Sequence, residues 1–242
     1  MKPVLIVTHL DDRLAGLASE CLQAAGCAIT SAHPDDRAAL PPLHELSGIV
    51  SLGGEQSASR SAADPFLSAE VALMAAALDG GVPVIGICLG AQLLAVAAGG
   101  RVSTMDRMYA GWPVLTPLPA MAADPLFGSL AAGLRVLEWH EDVIELPAGA
   151  TPLATPGPGA ELFRIGRAAW GSQAHLEATP EMLLDDWLAD PGGIAQIQHA
   201  GNDVDAFRAA SRELLPVQMA AARPVFSAFA RLSLRWPTAS RR

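Results

Sequence analysis

The chain has 242 residues, 51% of them hydrophobic and only 17% charged, and its formal charge is −9. That composition supplies a sizeable apolar core for one domain, with or without a small appendage, and makes a globally disordered chain a poor reading. Residues 201–242 carry seven Arg against three acids, while nine basic and twenty-two acidic residues make up the rest. The acidic body argues against nucleic acid as a partner, and the basic end reads as a solvated segment or one that touches an acidic surface. Three Cys (Cys21, Cys27, Cys88) form neither a disulfide framework nor a zinc-type Cys/His cluster. The opening apolar run, Val4 to Val7, is too short for a signal peptide, and no stretch is long and apolar enough to span a membrane. The expected setting is the cytoplasm.

Val4-Leu5-Ile6-Val7 reads as a buried first strand, because β-branched residues dominate a short unbroken run. Leu14, Leu17, Leu22 and Ala25 then recur at helical spacing over 13–25, and Gly26 can end that helix. Strands are expected at 27–30 and 48–52, the latter stopped by Gly53-Gly54. An Ala-rich helix over 65–79 closes at Gly80-Gly81, a strand follows over 82–87, and an Ala/Leu helix over 89–98 ends at Gly99-Gly100. This alternation implies an α/β fold, a three-layer αβα sandwich with a mainly parallel, flavodoxin-like sheet. Beyond residue 100 the pattern loosens. Short strands are expected at 112–116, 133–138, 162–166 and 168–173, with turns in 147–158. Helices are expected at 179–189 and about 203–229, the second broken or kinked by Pro216 and Pro224, with 236–242 frayed. Residues 1–190 are read as the catalytic domain and 191–242 as a helical extension packed on it.

Gly86-Ile87-Cys88-Leu89-Gly90-Ala91-Gln92 places Cys88 between a buried strand and a helix. Small residues on both sides let the chain turn sharply and leave room for a substrate, the logic of a nucleophile elbow. The first amides of the following helix face Cys88, and the helix dipole favours its thiolate. A buried structural cysteine is the bland alternative, but it leaves the flanking glycines unexplained. Cys21 and Cys27 read as ordinary thiols of a helix and a strand.

A cysteine nucleophile needs a base, and the base an orienting group. His175 stands where the late strand ends, the edge at which open sheets bind ligands, and Glu177 follows two residues on. His140, beside Glu141 and Asp142, is the rival base. His9 follows the first strand and could lie near the edge of the site, whereas His33, His44 and His199 read as surface or loop residues.

The segment Gly86–Gln92 resembles the nucleophile motif of the class I glutamine amidotransferases, and His175-Leu176-Glu177 resembles that family's His-Pro-Glu segment. The resemblance covers residues 3–190 and is nearest to free-standing members similar to the amidotransferase domain of GMP synthase. It implies Cys88 as nucleophile, His175 as base and Glu177 as third member. It further implies Gly54 and Leu89 as oxyanion-hole donors and Gly53, Gln92, Glu55, Tyr109 and His140 as substrate contacts. The chain departs from the family in three places. Glu55 stands where Pro often follows the two glycines, Gln173-Ala174-His175-Leu176-Glu177 replaces Gln-Phe-His-Pro-Glu, and Tyr109 stands where Glu is common.

The implied reaction is attack of Cys88 on the side-chain amide of glutamine or a γ-glutamyl compound, with a γ-glutamyl thioester as intermediate and no metal or organic cofactor. About fifty residues follow the region of resemblance, too few for an ATP-binding synthetase domain, and no phosphate-binding Walker loop occurs. Either a separate synthetase subunit takes the ammonia or the protein is a stand-alone hydrolase. A catalytically weak binding or regulatory module on the same fold, a cysteine peptidase and a small-molecule stress protein are the remaining readings. Self-association stays open.

Overall fold

The computed structural model describes residues 1–10, 13–36, 38–154 and 162–236. The elements run β1 (Val4–Val7), α1 (Gly16–Ala24), β2 (Ile29–Ala32), β3 (Gly48–Ser51), α2 (Pro65–Gly80), β4 (Val84–Ile87) and α3 (Leu89–Ala97). There follow β5 (Arg101–Gly111), β6 (Glu138–Glu145), β7 (Thr151–Pro152), β8 (Leu162–Ile165) and β9 (Ala169–Ser172). A π-helical turn (Glu181–Trp187), α4 (Pro191–His199) and α5 (Val204–Arg235) complete the order.

The main sheet has the strand order β2-β1-β3-β4-β9-β8-β7. The pairs from β2 through β9 are parallel, and β8 and β7 are added antiparallel. Alternate side chains show why the central strands carry no polar face. Val4 and Ile6 pack with Leu17, Leu22, Val225, Phe226 and Phe229 of α1 and α5. Leu5 and Val7 pack on the other side with Leu67, Met74, Leu93 and Leu94 of α2 and α3. The result is the expected three-layer αβα sandwich with a mainly parallel sheet, and its strand order up to β9 is flavodoxin-like.

Local chemistry sets the helix limits. Asp64 accepts from the amides of Phe66 and Leu67 at 2.9 and 3.1 Å, Pro65 takes the first position of α2, and Gly81 ends it at φ 70°. Asp203 caps α5 in the same way through Ala206 N at 2.8 Å.

Four differences from the sequence-based expectations have physical reasons. First, α5 runs unbroken through Pro216 and Pro224. Each proline costs about 3 kcal/mol in a helix, but Leu215, Val225, Phe226 and Phe229 are buried on α5, each worth about 1.5–3 kcal/mol. Second, 112–116 and 133–137 form no ladder, only a bridge between Val114 and Arg135, and Glu138 instead opens β6. Third, β5 and β6 pair as a separate antiparallel ribbon. The ribbon escaped the pattern because β5 is largely exposed and the inward face of β6 is Glu138, His140, Asp142 and Ile144, mostly polar. Fourth, the helix expected over 179–189 is the π-helical turn, a conformation found often at functional sites. The frayed end expected at 236–242 falls, from 237 on, outside the described residues, as does most of the turn region after 154. No helix among the described residues is long and apolar enough to cross a membrane.

Candidate active site

Cys88 caps the N-terminus of α3 at φ 50°, ψ −110°. A non-glycine residue there is strained by about 1–3 kcal/mol, and the neighbours hold it. The Cys88 amide donates to Ser172 O at 2.7 Å and the Gly90 amide to Leu52 O at 3.2 Å. A Cβ on Gly86 would strike the Gly90 backbone, and one on Gly90 would strike the Ser51 backbone. The two glycines are thus requirements of the elbow.

His175 leaves the end of β9, where Ser172 Oγ donates to Ala174 O at 2.7 Å and shapes the turn. His175 Nδ1 lies 2.8 Å from Glu177 Oε1, and the ring stands beside the Cys88 side chain, both facing Gly53. The edge-on Trp187 ring, 5.1 Å away, fixes the plane of the imidazole. The backbone around it is also clamped. The His175 amide donates to Leu137 O at 2.8 Å. Gln218 of α5, fully buried, donates to His175 O at 2.9 Å and accepts from the Leu137 amide at 2.7 Å. On the far side the Leu17 amide of α1 donates to Glu177 O at 2.8 Å.

A cleft of about 650 Å³ opens over these groups. Cys88, His175, Gly54, Glu55, Gln92 and His140 line it. Gly53 lies beneath, where a Cβ would come within 2.7 Å of His175 Cε1. Gln92 Nε2 donates to Gln173 Oε1 at 3.4 Å, and Gln173 Nε2 reaches Cys88 Sγ at 3.5 Å. Leu89 is buried at the start of α3, where a first-turn amide has no intrahelical acceptor. Tyr109 is not part of the lining; it pairs across the ribbon with His140, ring centroids 5.9 Å apart. Glu55, Glu141, Asp142, Asp186 and Asp190 make the lining acidic, and no Lys or Arg occurs in it among the described residues.

The electrostatics separate the imidazoles. Burial works against the charged form of His175, but the charges of Glu177 and Cys88 and their hydrogen bonds outweigh it, and its pKa stands well above 6.5. His140 is bound at both nitrogens. Nδ1 is 2.9 Å from Asp142 O, a carbonyl that can only accept, so this nitrogen carries a proton. Nε2 then faces Glu138 Oε2 at 3.3 Å. Burial raises the Glu138 carboxyl above the usual carboxylate range, opposed by the hydrogen bond and charge of His140. Burial likewise raises the thiols of Cys21 and Cys27.

Several site residues lay beyond sequence reasoning. Gln173 has no motif of its own apart from its place before His175. Trp139, Glu138, Trp187 and Gln218 come from the ribbon, the π-helical turn and α5, and only packing brings them to the surroundings of Cys88, His175 and His140. His9, noted as a neighbour of the site edge, lines the cleft, but its buried partner Glu70 sits in an Ala-rich helix that gives no sign of it. Among the described residues no group of three or more His, Cys, Asp or Glu is placed to hold a metal ion.

Comparison with known proteins agrees with this architecture. The glutamine amidotransferase-like protein YfeJ of Salmonella typhimurium is 31% identical over 185 residues, covering 74% of this chain and 77% of that protein. One component of the glutamine-hydrolysing GMP synthase of Natronomonas pharaonis is 47% identical over 79 residues, 32% of this chain and 42% of that component, so the match spans less than half of the relative. The crystal structure of a glutamine amidotransferase from Thermotoga maritima shares the fold, with a TM-score of 0.81 at 24% identity over 94% of this chain and 97% of the other. The family model of class I glutamine amidotransferases matches residues 15–190. The chain belongs to the class I glutamine amidotransferase family.

Proposed function

We propose that the chain is a γ-glutamyl amide hydrolase of this family, with Cys88 as nucleophile, His175 as acid and base, and Glu177 as the group that holds the imidazole. The observation that carries the reading is the continuous line of contacts from Glu177 Oε1 through His175 to the Cys88 side chain at the floor of the cleft. The Cys88 thiolate adds to the side-chain carbonyl carbon of glutamine or a γ-glutamyl compound. The amides of Gly54 and Leu89 receive the oxyanion. His175, having taken the Cys88 proton, gives it to the departing nitrogen. Ammonia or an amine leaves, and a γ-glutamyl thioester remains on Cys88. His175 then takes a proton from water as the oxygen attacks the thioester, and glutamate is released with Cys88 restored. The steps need no metal or organic cofactor.

The acidic lining bears on the leaving group. Five carboxylate-bearing residues, with no Lys or Arg in the lining among the described residues, favour a neutral or cationic amine over one that adds a further carboxylate. Purified chain assayed against glutamine and a panel of γ-glutamyl amides tests the reading. One neutral or cationic amide is expected to exceed glutamine in kcat/KM by about 100-fold, roughly 2.7 kcal/mol of transition-state preference. Preference for an acidic amine portion would overturn the charge argument, and turnover unchanged in Cys88→Ala would overturn the mechanism.

A second reading has its own support in the relative named as one component of GMP synthase. Here the chain is an ammonia-donating glutaminase gated by a separate synthetase. Poor turnover of every amide, restored by a co-purifying protein, would establish it in place of the hydrolase.

A further inference from the structure

Behind the cleft lies another imidazole–carboxylate pair that the reaction above leaves unused. His9 follows β1, and Glu70 lies in the second turn of α2. His9 Nε2 is 2.9 Å from Glu70 Oε2, and neither side chain has any exposed surface. Glu70 Oε1 and His9 Nδ1 have no hydrogen-bond partner among the described residues. A fully buried pair with unmet polar atoms is a poor device for stability, because desolvation takes back most of what the attraction supplies. Its place in the fold suggests another use. Had Gly54 a Cβ, it would lie 2.5 Å from His9 Cβ, so His9 is packed directly on Gly54. The His9 carbonyl accepts from Gln56 Nε2 at 3.4 Å, on the other side of Glu55 in the same loop. The His9 ring meets Phe66 of α2 edge-on at 6.1 Å. Gly53 faces the His175 ring from the other end. A loop of two glycines has no side chains with which to fix itself, so its position comes from what it packs on.

We propose that His9, held by Glu70, is a positioning residue that sets the Gly53–Gly54 loop against Cys88. The pair touches no reacting atom; it ties the end of β1 to α2 behind the loop whose amide receives the oxyanion. The inference rests on the reading of Cys88 as nucleophile and Gly54 as donor.

The test separates chemistry that builds an oxyanion from chemistry that does not. Iodoacetamide alkylates a thiolate by displacement at a saturated carbon, whereas a chloromethyl ketone analogue of glutamine and the amide substrates pass through a tetrahedral oxyanion. The variants are His9→Gln, whose amide nitrogen can still donate to Glu70, and the double replacement His9→Leu with Glu70→Leu, which leaves no lone buried charge. In the double variant, iodoacetamide labelling of Cys88 is expected within about twofold of wild type, with KM nearly unchanged. Its kcat and its rate of chloroketone inactivation are expected to fall about 10- to 100-fold, and His9→Gln to recover most of the loss. Glu70→Gln supplies the same comparison if the double variant does not fold, with a smaller chloroketone loss and unchanged iodoacetamide labelling. Wild-type kcat in a folded double variant, or equal losses with both reagents, would overturn the positioning role. A wild-type protein whose Cys88 reacts selectively with neither reagent would instead sink the nucleophile assignment, and this inference with it.

Discussion

Two histidine–glutamate pairs face the same cleft with the same spacing and opposite order: His175 with Glu177, and Glu138 with His140. Both are buried, and both stand near Cys88. They differ in what their ring nitrogens are committed to. His175 gives one nitrogen to Glu177 and leaves the other side of the ring to Cys88. His140 has Nδ1 tied to the Asp142 carbonyl and Nε2 to Glu138, so it presents no uncommitted nitrogen. The pairing of residue types says that either could serve as a base. The hydrogen bonds around each ring separate them: both nitrogens of His140 are held, whereas His175 is held at one, by Glu177.

The comparison is most severely tested by removing each imidazole. His175→Ala is expected to slow acylation of Cys88 by about 10³-fold or more, while His140→Ala stays within about tenfold of wild type. Single-turnover kinetics with a chromogenic γ-glutamyl amide measures both, and the reverse ranking would make His140 the base. The carboxylates come next. Glu177→Gln is expected to lower kcat by about 10²-fold through loss of the imidazolium's partner, and Glu138→Gln by less than about threefold.

Gln218 sharpens the comparison because it holds the two segments together, with one hydrogen bond to Leu137 and one to His175. Gln218→Leu leaves a buried amide and a buried carbonyl without that partner. It is expected to cost about 2–4 kcal/mol of stability, read by urea unfolding. A loss below about 0.5 kcal/mol would show that the two segments do not depend on α5.

The smallest effect concerns charge. Burial raises the Glu138 pKa in the folded chain above the unfolded value of about 4.3. The protonated group therefore stabilises the fold fully below about pH 4.3, and that stabilisation is lost as pH rises through the folded pKa. Gln is neutral at every pH. Glu138→Gln is thus expected to raise Tm relative to wild type at pH 8 and to change it less at pH 4, by calorimetry at both values. A variant less stable than wild type specifically at pH 8 would mean that the ionised carboxylate is the favoured form.

Much of the first hundred residues was legible in the chain itself. Four-residue apolar runs such as Val4–Val7 and Val84–Ile87 are buried on both faces, and nothing but a covered parallel sheet accommodates them. Cys88 between two glycines after such a strand is legible too: the Gly86–Gly90 collision arises within the turn itself, although Gly90 is also kept small by Ser51 of β3. The ribbon was not legible. Its β6 turns Glu138, His140 and Asp142 inward, towards partners that are polar, so no apolar alternation marks it. Nor was the reach of α5, whose prolines suggest a break while its buried face outweighs them.

The sequence by itself marked the strands, the elbow and the short list of ionisable residues, because apolar runs, small residues and residue types are legible before it is known which segments they meet. The tertiary structure decided which imidazole meets Cys88, that Glu70 lies behind His9 across 61 residues, and that Gln218 clamps His175. Those are hydrogen bonds between distant segments. A hydrogen bond needs its partners within a few tenths of an ångström, and only the packed core sets distances that finely.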